Sequence, residues 1–260
     1  MPRYSANISI LFTELPFLER FAAARAAGFE AVECWFPYEH PAAQLRGILD
    51  GAGLTLVGIN TAPGDVARGE WGVTALPGRE AEFDRQIAQA LDYAAALGAG
   101  GVHVMAAMCG GLDLAACERA YLANLEKALR RAEGSGVTLL IEPLNAKDRP
   151  GYFLSRSDQA AEIIARLGHP GLKLMFDVYH VQVMEGDIIR RLRAHLPITG
   201  HIQIAAVPSR AEPDEGELNY RAILAEIDAL GWSGFVGCEY RPRAGTLDGL
   251  GWREALARGN

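Results

Sequence analysis

The chain has 260 residues, half of them hydrophobic and 22% charged, with a formal net charge of −7. That is enough for one large domain with a sizeable core, as in a soluble globular protein. The acidic balance argues against DNA or another polyanion as the main partner, because phosphate binding calls for clustered Lys and Arg. A small anionic substrate is not excluded, since one local Arg can hold it.

Arg3 opens the chain, but the apolar stretch behind it is short and meets Glu14 with no small-residue cleavage site, a poor secretory signal. Residues 5–11, 31–34 and 54–59 read as the first three strands. Phe83, Ile87, Leu91, Ala94 and Leu97 fall at helical spacing and stop at Gly98, after which residues 101–105 read as a strand. Leu114, Tyr121, Leu125 and Leu129 repeat the theme, with Asp113 as N-cap, Gly134 and Gly136 at the exit, and strand 137–141 following. Ile163, Ile164 and Leu167 lead to Gly168 and strand 172–176. A strand over 198–204 precedes the helical set Tyr220, Ile223, Leu224, Ile227 and Leu230, which leads to Gly231 and strand 235–238. Each apolar stripe covers one helix face, and Gly is expected as the left-handed C-cap each time. Residues 93–112 carry no formal charge over about the length of a bilayer span. Five glycines and His103 make that stretch a helix end, a buried strand and a loop instead. Cys34, Cys109, Cys117 and Cys238 have no Cys-x-x-Cys spacing. They suit buried thiols in a reducing cytoplasm better than a disulfide framework or a zinc site.

Eight apolar strands, most of them separated by helices, imply a parallel sheet covered on its outer side. The expected fold is α/β, a single (β/α)₈ TIM barrel spanning residues 1–260 as one domain. An open doubly wound sheet is the alternative, but no Gly-x-Gly-x-x-Gly follows the first strand.

In such a barrel the chemistry sits at the C-terminal strand ends. There the sequence places Glu142, Asp177, Gln203 and Glu239, on the fifth to eighth strands. Singly, each acid reads equally well as a helix N-cap or a loop residue, and Gln203 as a core amide. Together, three carboxylates and an amide would concentrate uncompensated negative charge in a partly buried mouth. One divalent cation removes that problem, and all-oxygen ligation selects Mg²⁺ or Mn²⁺. His180 lies three residues past Asp177, where the chain leaves its strand. Arg210 follows Gln203 by seven, on a loop whose acids Glu212, Asp214, Glu215 and Glu217 read as solvated, though one could orient the arginine. His40, His169 and His195 read as surface or helix-end residues, and His103 and His201 as hydrogen-bonded core histidines.

Four stretches carry a signature: Ile141-Glu-Pro-Leu-Asn145, Phe176-Asp-Val-Tyr-His180, Gly200-His-Ile-Gln-Ile-Ala205 and Gly237-Cys-Glu-Tyr-Arg-Pro242. With Phe36-Pro-Tyr38, Pro63-Gly-Asp65, Leu76-Pro-Gly-Arg79 and Gly216-Glu-Leu-Asn-Tyr220, they resemble the hydroxypyruvate isomerase family of xylose-isomerase-like barrels, from Ser5 to Trp252. The resemblance implies that Glu142, Asp177, Gln203 and Glu239 bind the metal, with Glu142 and Glu239 as the acid/base pair. It also implies that His180 and Arg210 contact substrate oxygens. Relatives often have His where Gln203 stands, and some have Arg where Trp71 stands.

The expected activity is therefore aldose–ketose isomerisation of a short hydroxy-keto acid, hydroxypyruvate to 2-hydroxy-3-oxopropanoate (tartronate semialdehyde) first. Very similar sequences act on 2-oxo-tetronates. A ketose 3-epimerase, an endonuclease-like hydrolase and a degenerate sugar-binding barrel are the rivals. The expected partner is the small keto acid, with no nucleic acid and no membrane, and homo-oligomerisation is left open.

Overall fold

The computed structural model describes residues 2–257. Its strand segments are β1 (Arg3–Asn7), β2 (Ala31–Glu33), β3 (Thr55–Leu56), β4 (Gly58–Asn60), β5 (Gly101–His103), β6 (Thr138–Ile141), β7 (Leu172–Asp177), β8 (Thr199–Ile204) and β9 (Phe235–Cys238). They hydrogen-bond in the order β3-β2-β1-β9-β8-β7-β6-β5-β4, every pair parallel. The two ends of that order, β3 and β4, are halves of one barrel strand broken only at Val57. Val57 N–H donates to Val32 at 2.8 Å and Cys34 N–H to Gly58 at 3.3 Å, so the ladder with β2 continues across the break. The ring closes with eight strands. The TIM barrel expected from the sequence is what the chain forms.

Helices cover the outside of this ring. Glu80–Leu97 buries Phe83, Ile87, Ala90, Leu91, Ala94 and Leu97 along one face. Each large aliphatic side chain removed from water contributes roughly 1.5–3 kcal/mol before ordering entropy is subtracted. Gly98 (φ 69°) and Gly168 (φ 60°) are the left-handed C-caps expected. At the other two helices the cap is Glu133 or Leu230, and the positive φ falls one residue later, on Gly134 or Gly231. Asp113 caps Leu114–Ala132 by accepting from Ala115 N–H at 3.0 Å. Leu114 itself is exposed and lies off the buried stripe.

Several strands end earlier than their apolar character suggests. β1 stops at Asn7 because Ile10 and Leu11 turn back to donate to its carbonyl at 3.1 and 2.9 Å. β5 stops at His103. Residues 93–112 divide into a helix end, β5 and a loop, as expected, and no helix among the described residues is long and apolar enough to cross a membrane. All four cysteines are free and buried.

Candidate active site

Every strand of the barrel delivers a polar side chain to the C-terminal mouth. Asn7 closes β1, Glu33 β2, Asn60 β4, His103 β5 and Asp177 β7; Glu142 and Glu239 immediately follow β6 and β9, and Gln203 is next to last in β8. The four expected from the sequence thus share one mouth with four that were not. A cavity of about 360 Å³ opens there, lined by Glu142, His180, Arg210 and Glu239 with two further arginines, Arg149 and Arg241. Trp35 and Trp71 form part of its wall.

The carboxyl groups are almost fully shielded, at 5% exposure for Glu142 and Glu239 and 1% for Asp177. Burial pushes Glu142 well above the usual carboxylate range, and Glu239 and Asp177 add to that. Burial likewise raises Glu239 to about 8 and Asp177 to about 6, against the pull of Arg210 on both. Asp177 divides its oxygens. Oδ1 caps the helix Val178–Met184 by accepting from Tyr179 N–H at 2.8 Å, while Oδ2 has no hydrogen-bond partner. The plain N-cap reading and the ligand reading are therefore both open to the same residue.

Two more buried oxygens also lack a partner, Glu142 Oε1 and Gln203 Oε1. Leaving a buried acceptor unmade is costly, roughly 1–3 kcal/mol for a neutral group and more for a charged one. Three such oxygens at one mouth are the donor set a hard divalent cation takes. Glu239 is engaged differently: Oε1 accepts from Arg210 at 2.8 Å, and Oε2 accepts from Asn7 at 2.9 Å and from Gln203.

His180 is buried on the first turn of Val178–Met184, not on a surface loop. Its Nε2 lies 3.8 Å from Glu142 and 3.7 Å from Asp177. One atom each from Glu142, Asp177 and His180 fall within 4.8 Å of one another, which by proximity alone could hold a metal. The hydrogen bonds argue for another role. Nδ1 accepts from Asn145 N–H at 3.1 Å and faces the Asn145 amide nitrogen at 2.7 Å. In a neutral ring the proton then sits on Nε2, which is a donor aimed into the mouth and not a ligand lone pair. Burial, with Arg210 beside it, holds His180 well below its ordinary value and so neutral.

Arg210 reaches the mouth from the loop after β8. Its backbone is left-handed (φ 56°), a conformation unfavourable for a side-chain-bearing residue. Bonds from Arg210 N–H to Ala206 (2.9 Å) and from Arg241 N–H to Arg210 (2.7 Å) hold it there. The guanidinium sits 4.9 Å from the Tyr179 ring centroid and 3.8 Å from Asp177 Oδ2, and its Nε has no hydrogen-bond partner. The acidic loop does not orient it. Glu212, Asp214 and Glu215 all pair with Arg243, and Glu212 is fully buried, not solvated.

Sequence reasoning passed over Glu33, Arg149 and Arg241, and it read His103 as a hydrogen-bonded core histidine, whereas neither ring nitrogen has a hydrogen-bond partner. His103 Nδ1 lies 3.3 Å from Glu142 without hydrogen-bond geometry, and burial pushes the ring down to about 3. Arg149 stacks 4.0 Å over the Trp71 ring, so tryptophan at that position supports an arginine on the cavity wall. His201 is the hydrogen-bonded core histidine expected, paired with Glu33 at 2.9 Å. His195 ends its helix, as expected, but is buried beside Asp158.

Residues 21–257 match a family described as xylose isomerase-like TIM barrel. The chain is 53% identical to a 2-oxo-tetronate isomerase of Cupriavidus necator, over 97% of each chain. It is 38% identical to a hydroxypyruvate isomerase of Escherichia coli, over 98% of this chain and 99% of that one. A crystal structure from Brucella melitensis titled as an AP endonuclease, family 2, superposes with a TM-score of 0.96 at 43% identity, covering 98% of this chain and 99% of the other.

Proposed function

Because the chain belongs to the xylose isomerase-like TIM barrel family, we propose that it is an aldose–ketose isomerase that moves the carbonyl of a short 2-oxo-3-hydroxy acid from C2 to C3. One observation carries the reading: buried oxygens on Glu142, Asp177 and Gln203 have no partner, and Glu142 lines a cavity with Arg149, Arg210 and Arg241. The oxygens fit a cation, and the arginines fit a substrate carboxylate. The names of the relatives support both the three-carbon substrate hydroxypyruvate and the four-carbon 2-oxo-tetronates. The two share the reacting carbons and differ by one CH₂OH group, which a cavity of about 360 Å³ accommodates.

Glu142, Asp177, Gln203 and Glu239 would hold Mg²⁺ or Mn²⁺. Bound there, the cation supplies Lewis acidity toward the two neighbouring substrate oxygens. The chain's own groups do the rest. Glu142 and Glu239 stand three strands apart around the ring, so a substrate between them meets a carboxyl on either side. One takes the proton from C3 as the C2=C3 double bond of an enediolate forms. The opposite one returns or relays a proton to C2 as the C3 carbonyl forms, while the hydroxyl proton passes from O3 to O2. No oxidant or reductant is consumed. His180 directs its Nε2–H at a substrate oxygen. Arg210 steadies Glu239 with one nitrogen and sets its guanidinium charge at the cavity wall for the substrate carboxylate.

The endonuclease title of the Brucella structure raises phosphodiester hydrolysis as a rival. A chain of net charge −7 with six histidines is poorly suited to it. Turnover of hydroxypyruvate, a 2-oxo-tetronate and neutral ketoses with Mg²⁺ or Mn²⁺ tests the proposal. Conversion of one or both acids in preference to the ketoses is expected. Turnover of ketoses alone would overturn it in favour of epimerisation.

A further inference from the structure

Within the mouth lies a carboxyl group that the mechanism does not use. Glu33 is 4% exposed, yet each of its oxygens is matched. Oε2 accepts from His201 Nε2 at 2.9 Å and from Gln203 Nε2 at 3.1 Å, and Oε1 accepts from the Ser5 hydroxyl at 3.3 Å. Both Glu33 oxygens are thus engaged by protein donors, whereas the Gln203 carbonyl oxygen is buried with no partner.

The consequence falls on Gln203. Its amide nitrogen lies between two carboxyl groups, donating to Glu33 Oε2 and Glu239 Oε2. Flipping the amide would set its oxygen against both and leave the NH₂ without an acceptor. The carbonyl oxygen is therefore the end left over, buried and without a partner.

Room for this arrangement comes from β9. Gly237 is the register partner of Gln203 on one side and of Ser5 on the other. A Cβ at Gly237 would lie 2.1 Å from Glu33 Oε1, 2.8 Å from Gln203 Cγ and 2.9 Å from His201 Nε2. All three contacts are closer than a real Cβ tolerates. No other residue fits there without displacing the carboxyl.

We propose that Glu33, braced by His201 and given space by Gly237, is the positioning residue that locks the Gln203 amide with its oxygen toward the divalent cation. The inference rests on the metal centre proposed above and deepens it. Groups that orient a metal ligand typically change affinity about 10–100-fold when removed.

The test is Mn²⁺ affinity by calorimetry, with the melting temperature of the metal-free protein as the control for folding. Glu33→Met keeps the approximate length and removes both acceptor oxygens. Glu33→Asp keeps the charge and loses the reach, and serves also if the first variant fails to fold. Both should weaken Mn²⁺ binding by about 10–100-fold in the wild-type background. In a Gln203→Ala background, the same changes should have little further effect. Unchanged affinity, or equal losses in both backgrounds, would overturn the proposal, because Glu33 would then act through charge or packing and not through the amide. Asp177→Asn separates the two levels: if it binds Mn²⁺ as tightly as wild type, the metal centre itself is wrong and the positioning role falls with it.

Discussion

Arg210→Ala separates a group that serves the substrate from one that serves the fold. The guanidinium lies 2.8 Å from Glu239 and is only 16% exposed. In the fold it supplies one largely desolvated ion pair, whose loss would ordinarily cost about 3–5 kcal/mol. Glu239 limits that loss, since a carboxyl already pushed up to about 8 by burial can take a proton when its partner goes. The effect on stability should therefore stay at the low end. The substrate has no such escape. A carboxylate that loses its guanidinium in a shielded site loses about 2–5 kcal/mol. At about 1.4 kcal/mol per tenfold, that is a fall of roughly 30- to several-thousand-fold in kcat/KM. Arg210→Lys should recover part of it, because an ammonium restores the charge and not the fork. Steady-state kinetics on hydroxypyruvate and a 2-oxo-tetronate, beside thermal melts, read both effects. Near-normal kcat/KM in a folded Arg210→Ala protein would refute the carboxylate assignment and favour a neutral ketose as substrate.

Mg²⁺ or Mn²⁺ should raise the melting temperature of the wild type and much less that of Asp177→Asn; equal stabilisation of both would remove Asp177 from the ligand set. Glu142→Gln and Glu239→Gln should each lower kcat by at least roughly 100-fold, the usual lower bound for losing a positioned acid or base, and a smaller loss at either site would strike it from the pair. The metal-free protein should lose stability as pH rises from about 4.5 to about 8. Glu239 has a folded pKa raised to about 8, so its contribution is complete below the ordinary carboxylate value and disappears as pH passes through the raised one. A cation must displace that proton, so the Mn²⁺-induced shift in melting temperature should grow over the same range, and a flat response would contradict Glu239 as a ligand.

The barrel was legible because its signals are redundant: the helix–Gly–strand unit recurs, and a break at Val57 inside one strand does not disturb the count. The mouth was half legible, and three of the missed residues, Asn7, Glu33 and His103, share one cause. Reading the first strand through to Leu11 placed Asn7 mid-strand, and carrying the second to Cys34 did the same to Glu33. Extending the fourth to Met105 turned His103 into an ordinary core residue. Apolar side chains continue past those points because the chain stays buried after it leaves the sheet, as Ile8 and Leu11 do. Hydrophobicity reports burial and not the end of a ladder. Where the strand-end residue was an acid followed by Pro, Val or Tyr, as at Glu142, Asp177 and Glu239, the boundary could be seen. Arg149 was invisible for another reason, since its place on the cavity wall depends on Trp71, far away in sequence.

The most direct test of an enediolate made between Glu142 and Glu239 is the fate of the migrating hydrogen. The acid substrate is turned over in D₂O with Mn²⁺, and the product is read by NMR at C2. Deuterium at C2 in the wild type, with turnover lost in Glu142→Gln, is the expected result. Complete retention of the original C3 hydrogen at C2, with no label from solvent, would contradict exchange between two carboxylates and point to a hydride shift or a shielded proton.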